Sequence, residues 1–175
     1  EAGFDAEPIA LDIADANAVA AAFARIGAVD VYANSAGLAR HGPALETSEA
    51  DFDEVMRVNW RAAHFSAREV ARQMIAAGKG GSIITISSQM GHVGGIDRTV
   101  YAASKHAVEG MTKSMAIEWG KFGIRVNTIC PTFIRTPLTE PTFADPQRAA
   151  WIRSKIKLER IGAVEDIMGA VVFLA

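Results

Sequence analysis

The sequence predicts an α/β fold, a three-layer doubly wound parallel sheet with helices on both faces. Three observations carry this. Short apolar runs at 9–11, 29–33, 82–86 and 125–130 alternate with longer stretches of helical periodicity. Strand then helix, repeated at this spacing, is the pattern of a parallel sheet. The strand runs are apolar nearly throughout, as expected where both sheet faces are covered.

Each element has a local reason. Pro8-Ile9-Ala10-Leu11 is a short strand candidate ending at Asp12. Asp15 can cap a helix that carries Val19, Phe23 and Ile26 on one face and stops at Gly27. Val29 to Ala33 is the second strand, followed by Asn34-Ser35-Ala36-Gly37. Ser48-Glu49-Ala50-Asp51 resembles a capping box and opens a long helix to about Ala77, before Gly78. Ser82 to Ile86 is the third strand, leading into Ser87-Ser88 and a loop with Gly91, Gly94 and Gly95. A helix runs from about Val100 to Phe122, with Gly123 placed to end it. Arg125 to Cys130 makes the fourth strand, ending in Pro131. Residues 132–160 read as loop plus short helix, and Val164 onward is helical again with Asp166 in its first turns.

Composition narrows the function classes. The 175 residues suit one domain, half of them are hydrophobic, and the formal net charge is −2. No run of Lys or Arg points to nucleic acid. No apolar stretch reaches the roughly 20 residues needed to span a bilayer, and no signal peptide is visible, so a cytoplasmic protein is expected. The single Cys130 excludes an internal disulfide and reads as a small buried hydrophobe. His41, His64, His92 and His106 show no metal-ligand spacing and no pairing with Cys130, so no metal site is expected. No nucleophile-elbow G-x-S-x-G is present, which argues against a serine hydrolase.

The chemistry gathers on Tyr101-Ala102-Ala103-Ser104-Lys105. Tyr101 and Lys105, four residues apart on one helix, place a phenol and an ammonium on the same face. That face continues through Val108, Thr112, Met115 and Trp119. A positive charge beside a phenol favours the phenolate, lowering a pKa that starts near about 10 and fitting the tyrosine for proton transfer. Asn59 stands inside the apolar face of the preceding long helix, where a buried amide must find partners or cost about 1–3 kcal/mol. In an open parallel sheet, ligands bind beyond the C-terminal strand ends, which here carry Asp12, Asn34 with Gly37, Ser88, and Pro131 leading to Thr136.

Taken together, these residues resemble the short-chain dehydrogenase/reductase family over essentially the whole chain. The family's N-N-A-G motif, its active-site Asn, its Ser, the Y-x-x-x-K thirteen residues later and its P-G-x-x-x-T occur here in order. They are Asn34-Ser35-Ala36-Gly37, Asn59, Ser88, Tyr101 with Lys105, and Pro131 with Thr136. The interval of thirteen selects Ser88 over Ser87. Ser35 replaces the family's second Asn, and Thr132 its Gly after Pro131. The resemblance implies a Rossmann-like sheet of which the family's strands 3 to 6 are present and strands 1, 2 and 7 absent. The Gly-rich dinucleotide turn is absent too, so this piece alone is expected to be inactive while its intact parent is an oxidoreductase.

By that resemblance the protein interconverts a secondary alcohol and a ketone with NAD or NADP. Tyr101 is the expected general acid and base. Lys105 holds the nicotinamide ribose and lowers the Tyr101 pKa, Ser88 binds the substrate carbonyl, and Asn59 anchors a water-linked relay to Lys105. Asp12 and Ile13 are expected at the adenine, Asn34, Ala36 and Gly37 along the cofactor, and Pro131, Ile134 and Thr136 near the carboxamide. Residues 132–160 are expected to cover a substrate such as a sugar, sugar acid or polyol, or a 3-oxoacyl thioester. A homodimer or homotetramer is expected through helices about 48–77 and 100–122. The alternative is a non-catalytic binding protein or inactive fragment that keeps the fold.

Overall fold

The computed structural model describes residues 5–175. Helix α1 (Ala16–Ile26) is capped as its sequence requires. The Asp15 carboxylate accepts from the Asn17 and Ala18 amides at 2.9 and 3.1 Å, and Gly27 at φ +79° ends the helix. Val19 and Phe23 are buried, whereas Ile26, expected on the same face, is exposed in the last turn. The Ser48 hydroxyl accepts from the Asp51 amide at 3.1 Å and starts α2 (Glu49–Met56). A π-helical segment, Arg57–Ala62, joins α2 to α3 (Ala63–Ala77), so the long helix has its expected extent but not an even pitch. Gly78 closes it in the left-handed region. Helix α4 (Thr99–Trp119) tightens into a 3₁₀ turn, and Gly123 at φ +73° terminates it.

Strands β1 (Val31–Asn34), β2 (Gly81–Ile86) and β3 (Ile124–Ile129) form a parallel sheet in the order β1-β2-β3. The strand expected at Pro8–Leu11 does not form. A strand exists only by pairing, and these residues join no ladder among the described residues, with Ile9 and Leu11 37% and 38% exposed. The sheet therefore has three strands where four were expected. Residues 132–160 hold two helices rather than one, α5 (Glu140–Ala144) and α6 (Pro146–Lys155). Asp145 caps α6, and Pro146 occupies its first position, where no amide hydrogen is needed. The last helix is α7 (Glu165–Leu174).

Alternation along the strands sends Tyr32, Ile83 and Val126 to one face, where they meet Val19 and Phe23 of α1, Val70 and Met74 of α3, and Met115 of α4. Val108, Thr112 and Met115 are buried, so the stripe that continues from Lys105 turns into the chain's own core rather than toward a partner. Helix α7 lies on the opposite face. There Ser82 Oγ donates to the Leu174 carbonyl, and Arg125 to the Ala175 carbonyl. At the N-terminal edge two crossover turns touch. Gly80 sits at φ +70°, and a Cβ there would meet the Gly123 carbonyl oxygen at 2.6 Å.

Candidate active site

The parallel register ends β1 at Asn34, opposite Thr85, and places Ser88 and Pro131 just beyond the C-terminal ends of β2 and β3. Asn34 is buried and folds its side chain back, Oδ1 accepting from the Ala36 amide at 3.0 Å. This Asx turn directs Ala36 and Gly37 outward over the edge. Ser88 follows β2 and caps a short 3₁₀ turn, its Oγ accepting from the Met90 amide at 3.1 Å. The Ser88 hydroxyl also interacts with the Tyr101 phenol. The Gln89 amide donates to the Pro131 carbonyl at 3.0 Å and ties that turn to the end of β3.

Helix α4 presents Tyr101 and Lys105 one turn apart to this edge. Lys105 is 5% exposed, its Nζ donating to the Ile86 carbonyl at 3.0 Å and lying 5.7 Å from the centre of the Tyr101 ring. An ammonium has three protons to donate, and one acceptor is met among the described residues. Burial pushes the Lys105 pKa down to about 8, against the opposing pull of Cys130 and Glu109. The Tyr101 phenol departs from expectation. Burial raises its pKa, and the Ser88 hydroxyl and the Arg98 guanidinium only partly offset this. Desolvation of the phenolate wins, and Lys105 is not among the groups that lower it.

Asn59 belongs to the π-helical segment, a distortion that recurs at functional sites. It is 2% exposed and fully engaged as a donor. Its Oδ1 accepts from the Leu38 amide at 2.8 Å, and its Nδ2 donates to the Leu38 carbonyl at 2.9 Å and to Ser104 Oγ at 3.1 Å. Ser104 in turn donates to the Tyr101 carbonyl at 2.7 Å. A Cβ placed on Gly37 would lie 3.4 Å from Asn59 Oδ1 and 3.7 Å from Lys105 Nζ. Gly37 therefore packs beside both the amide oxygen and the ammonium, within ordinary contact distance of each. The spare Lys105 donors beside Gly37 suit the hydroxyls of a nucleotide ribose.

The remaining sequence candidates are placed as follows. The Asp12 carboxylate accepts from the Ala14 amide at 2.9 Å and faces Arg57 at 3.5 Å; Ile13 lies beside it, at the entry to α1 and outside the sheet. Ile134 bridges to Gly162, and Thr136 is locked into a turn by Thr139, whose Oγ1 accepts from the Thr136 amide at 3.0 Å.

A cleft beside this edge is lined by Ser88 and Tyr101 and, from residues 132–160, by Thr132, Phe133, Leu138 and Thr142. His41 and Arg98 also line the wall; the sequence reading set His41 aside as a metal ligand and did not name Arg98. The His41 ring packs edge-on against Tyr101 at 5.8 Å. Arg98 precedes Tyr101 by three residues, a helical spacing that signals a shared surface.

Cys130 also departs from expectation. Its Sγ lies 3.4 Å from His92 Nε2 and 3.2 Å from Glu109 Oε1, and His92 and Glu109 are 3.5 Å apart. Three groups of kinds that ligate metals thus converge, where none were expected to pair. Burial pushes the Cys130 thiol up, which keeps it protonated as a donor to Glu109. These bonds join α4 to the end of β3 just below Lys105.

A family model described as enoyl-(acyl carrier protein) reductase matches residues 1–175. The chain is 44% identical over 154 residues to 2-dehydro-3-deoxy-D-gluconate 5-dehydrogenase of Escherichia coli, covering 88% of this chain and 61% of that protein. It is 36% identical over 168 residues to human L-xylulose reductase, covering 96% of this chain and 69% of the relative. A crystal structure of gluconate 5-dehydrogenase from Burkholderia cenocepacia, in complex with NADP and tartrate, superposes with a TM-score of 0.90 at 35% identity. That superposition covers 94% of this chain and 66% of the other. The order of the motifs, the parallel sheet that gathers them and the match along the whole chain agree: the chain belongs to the short-chain dehydrogenase/reductase family.

Proposed function

We propose that this chain is the catalytic part of an NAD(P)-dependent oxidoreductase that interconverts a secondary alcohol and a ketone on a sugar, sugar acid or polyol. One observation carries the reading: a phenol and a serine hydroxyl line one cleft, with a buried ammonium that has unused donors one helical turn behind the phenol. In reduction, Tyr101 Oη delivers a proton to the carbonyl oxygen, and in oxidation it takes that proton back. Ser88 donates to the same oxygen and stabilises the charge that develops there. Lys105 holds the nicotinamide ribose from below, beside Asn34, Ala36 and Gly37, and Pro131, Ile134 and Thr136 border the carboxamide. Asp12 and Ile13 border the adenine. The nicotinamide, when bound, supplies or accepts the hydride. Asn59 keeps one Oδ1 lone pair toward the space at Gly37, where a water linking it to Lys105 Nζ completes a proton path.

Residues 132–160 cover the substrate in this reading, in keeping with their share of the cleft wall. The protein works in the cytoplasm as a homodimer or homotetramer. No helix among the described residues is long and apolar enough to cross a membrane. The partner contact uses the outer faces of α3 and α4, where a groove is lined by Trp60, His64, Met111 and Ser114.

The test is a fluorescence titration of NADH and NADPH into the purified full-length protein, since the 175-residue chain alone is expected to be inactive, followed by rates with gluconate and glucitol. Saturable binding that Lys105→Ala weakens, with turnover that Tyr101→Phe abolishes, is the expected result. A folded protein that binds neither nucleotide would overturn the reading.

A further inference from the structure

Arg98 is the unexplained charge in the cleft. It lines the same wall as Tyr101, is half-buried, and its guanidinium makes no ion pair or hydrogen bond among the described residues. Its stem passes close over Gly95, where a Cβ would lie 3.1 Å from Arg98 Cγ and 3.2 Å from Met90 Sδ. A glycine there leaves room for the side chain to cross Met90 toward the cleft. A half-buried guanidinium without a partner is costly unless a ligand completes it, and its planar fork matches a carboxylate.

The surroundings deepen that charge. Arg148 of α6 stands close enough that its charge, after burial itself, holds the Arg98 pKa below its usual value. Burial and the same two arginines push the His41 imidazole down to about 4, so it is neutral at neutral pH. Asp97 is the acid that opposes them at both groups, and Asp145, the acid paired with Arg148, lies 3.5 Å from that exposed guanidinium. The rim therefore sets two arginines against two aspartates, and within it the Arg98 guanidinium, beside the proton-transferring phenol, is the cation without an ion-pair partner among the described residues.

We propose that Arg98, with Arg148 behind it, binds a carboxylate carried by the substrate, so that the site takes sugar acids in preference to neutral ketoses or polyols. This rests on the oxidoreductase reading and selects within it. Two relatives named above act on different classes, one on a sugar acid and one on a neutral ketose. The guanidinium is the group in this cleft that would tell such substrates apart.

The experiment uses a matched pair: tartrate and threitol share a four-carbon diol core and differ in having carboxylates or hydroxymethyl groups at the ends. Both are titrated into the protein by calorimetry at low and high salt. Tartrate is expected to bind more tightly than threitol and to weaken with salt. Arg98→Gln should weaken tartrate roughly 10- to 100-fold and leave threitol unchanged. Arg98→Lys should recover part of the loss, and Arg148→Gln, at an exposed position, should weaken tartrate only a few-fold. Equal affinity of the unmodified protein for the two compounds overturns the proposal, as does an Arg98→Gln variant that binds tartrate unchanged. If Arg98 served only to tune Tyr101, its loss would alter rates with gluconate and glucitol by the same factor. A protein that binds tartrate through Arg98 yet transfers no hydride would sink the oxidoreductase reading and leave the carboxylate site standing.

Discussion

The two halves of the site are built on opposite terms. Below Gly37, the groups are closed upon one another: Asn59 on Leu38 and Ser104, Ser104 on Tyr101, Lys105 on Ile86. Beside the cleft, the Ser88 and Tyr101 hydroxyls interact with one another at its open wall, and the Arg98 guanidinium keeps no protein partner among the described residues. The buried half spends its hydrogen bonds on geometry, and the open half keeps its own for a ligand. Stability and chemistry should therefore respond separately to substitutions in the two halves.

The largest expected effect lies in the open half. Tyr101→Phe should lower turnover by about 10²- to 10⁴-fold, the usual contribution of a positioned acid–base group, with nucleotide affinity nearly unchanged. Initial rates beside a fluorescence titration check this. A matching loss of thermal stability would break the division, since that hydroxyl's one described partner, Ser88, also lines the open cleft. In the buried half, Asn59→Leu should cost about 2–5 kcal/mol in urea unfolding, because the Leu38 amide and carbonyl both lose their partner. An unchanged midpoint would mean water replaces the amide and the half is less closed than its geometry states.

Lys105 gives the division a pH signature. Its folded pKa, about 8, lies below its unfolded value. Between these values the unfolded chain holds more protons, so stability rises with pH across that window and is flat below it. The rise is worth up to about 3 kcal/mol. Comparing unmodified protein with Lys105→Met from pH 7 to 10 isolates it, because the tyrosines raised by burial act equally on both. A difference that stays flat with pH would place Lys105 in solvent. The smallest effect tests the border between the halves. Gly37→Ala places its methyl in ordinary contact with Asn59 and Lys105, so the fold should tolerate it within about 1 kcal/mol. Nucleotide affinity should fall roughly tenfold, by filling the space at Gly37.

Much of this was legible because its causes are local. Asp15 and Ser48 announce helix starts, Gly27, Gly78 and Gly123 announce stops, and the Tyr101–Lys105 spacing puts both on one face. The strand expected at Pro8–Leu11 was not recoverable in this way, since apolar residues state a tendency and only a neighbour makes a ladder. The π-helical segment leaves no mark on hydrophobic spacing around Asn59. Cys130, Glu109 and His92 lie 21 and 38 residues from one another in pairs that only the strand register brings together. The raised Tyr101 pKa depends on burial, a property of the assembled core. Arg98 was within reach of the sequence, three residues ahead of Tyr101, and was passed over because it belongs to no motif.

The Asn59 bonds to Leu38 have a consequence in time as well as in space. They close a loop of 21 residues, and the bond to Ser104 closes one of 45. Contacts of that range form only after the chain has spent the entropy of bringing distant segments together. The polar centre is thus a late event in folding, latched once the helices are docked. Its mark in the native protein is hydrogen exchange: the Leu38 amide, outside every helix and strand, should exchange as slowly as amides of the core, and should open only when α2, α3 and α4 part.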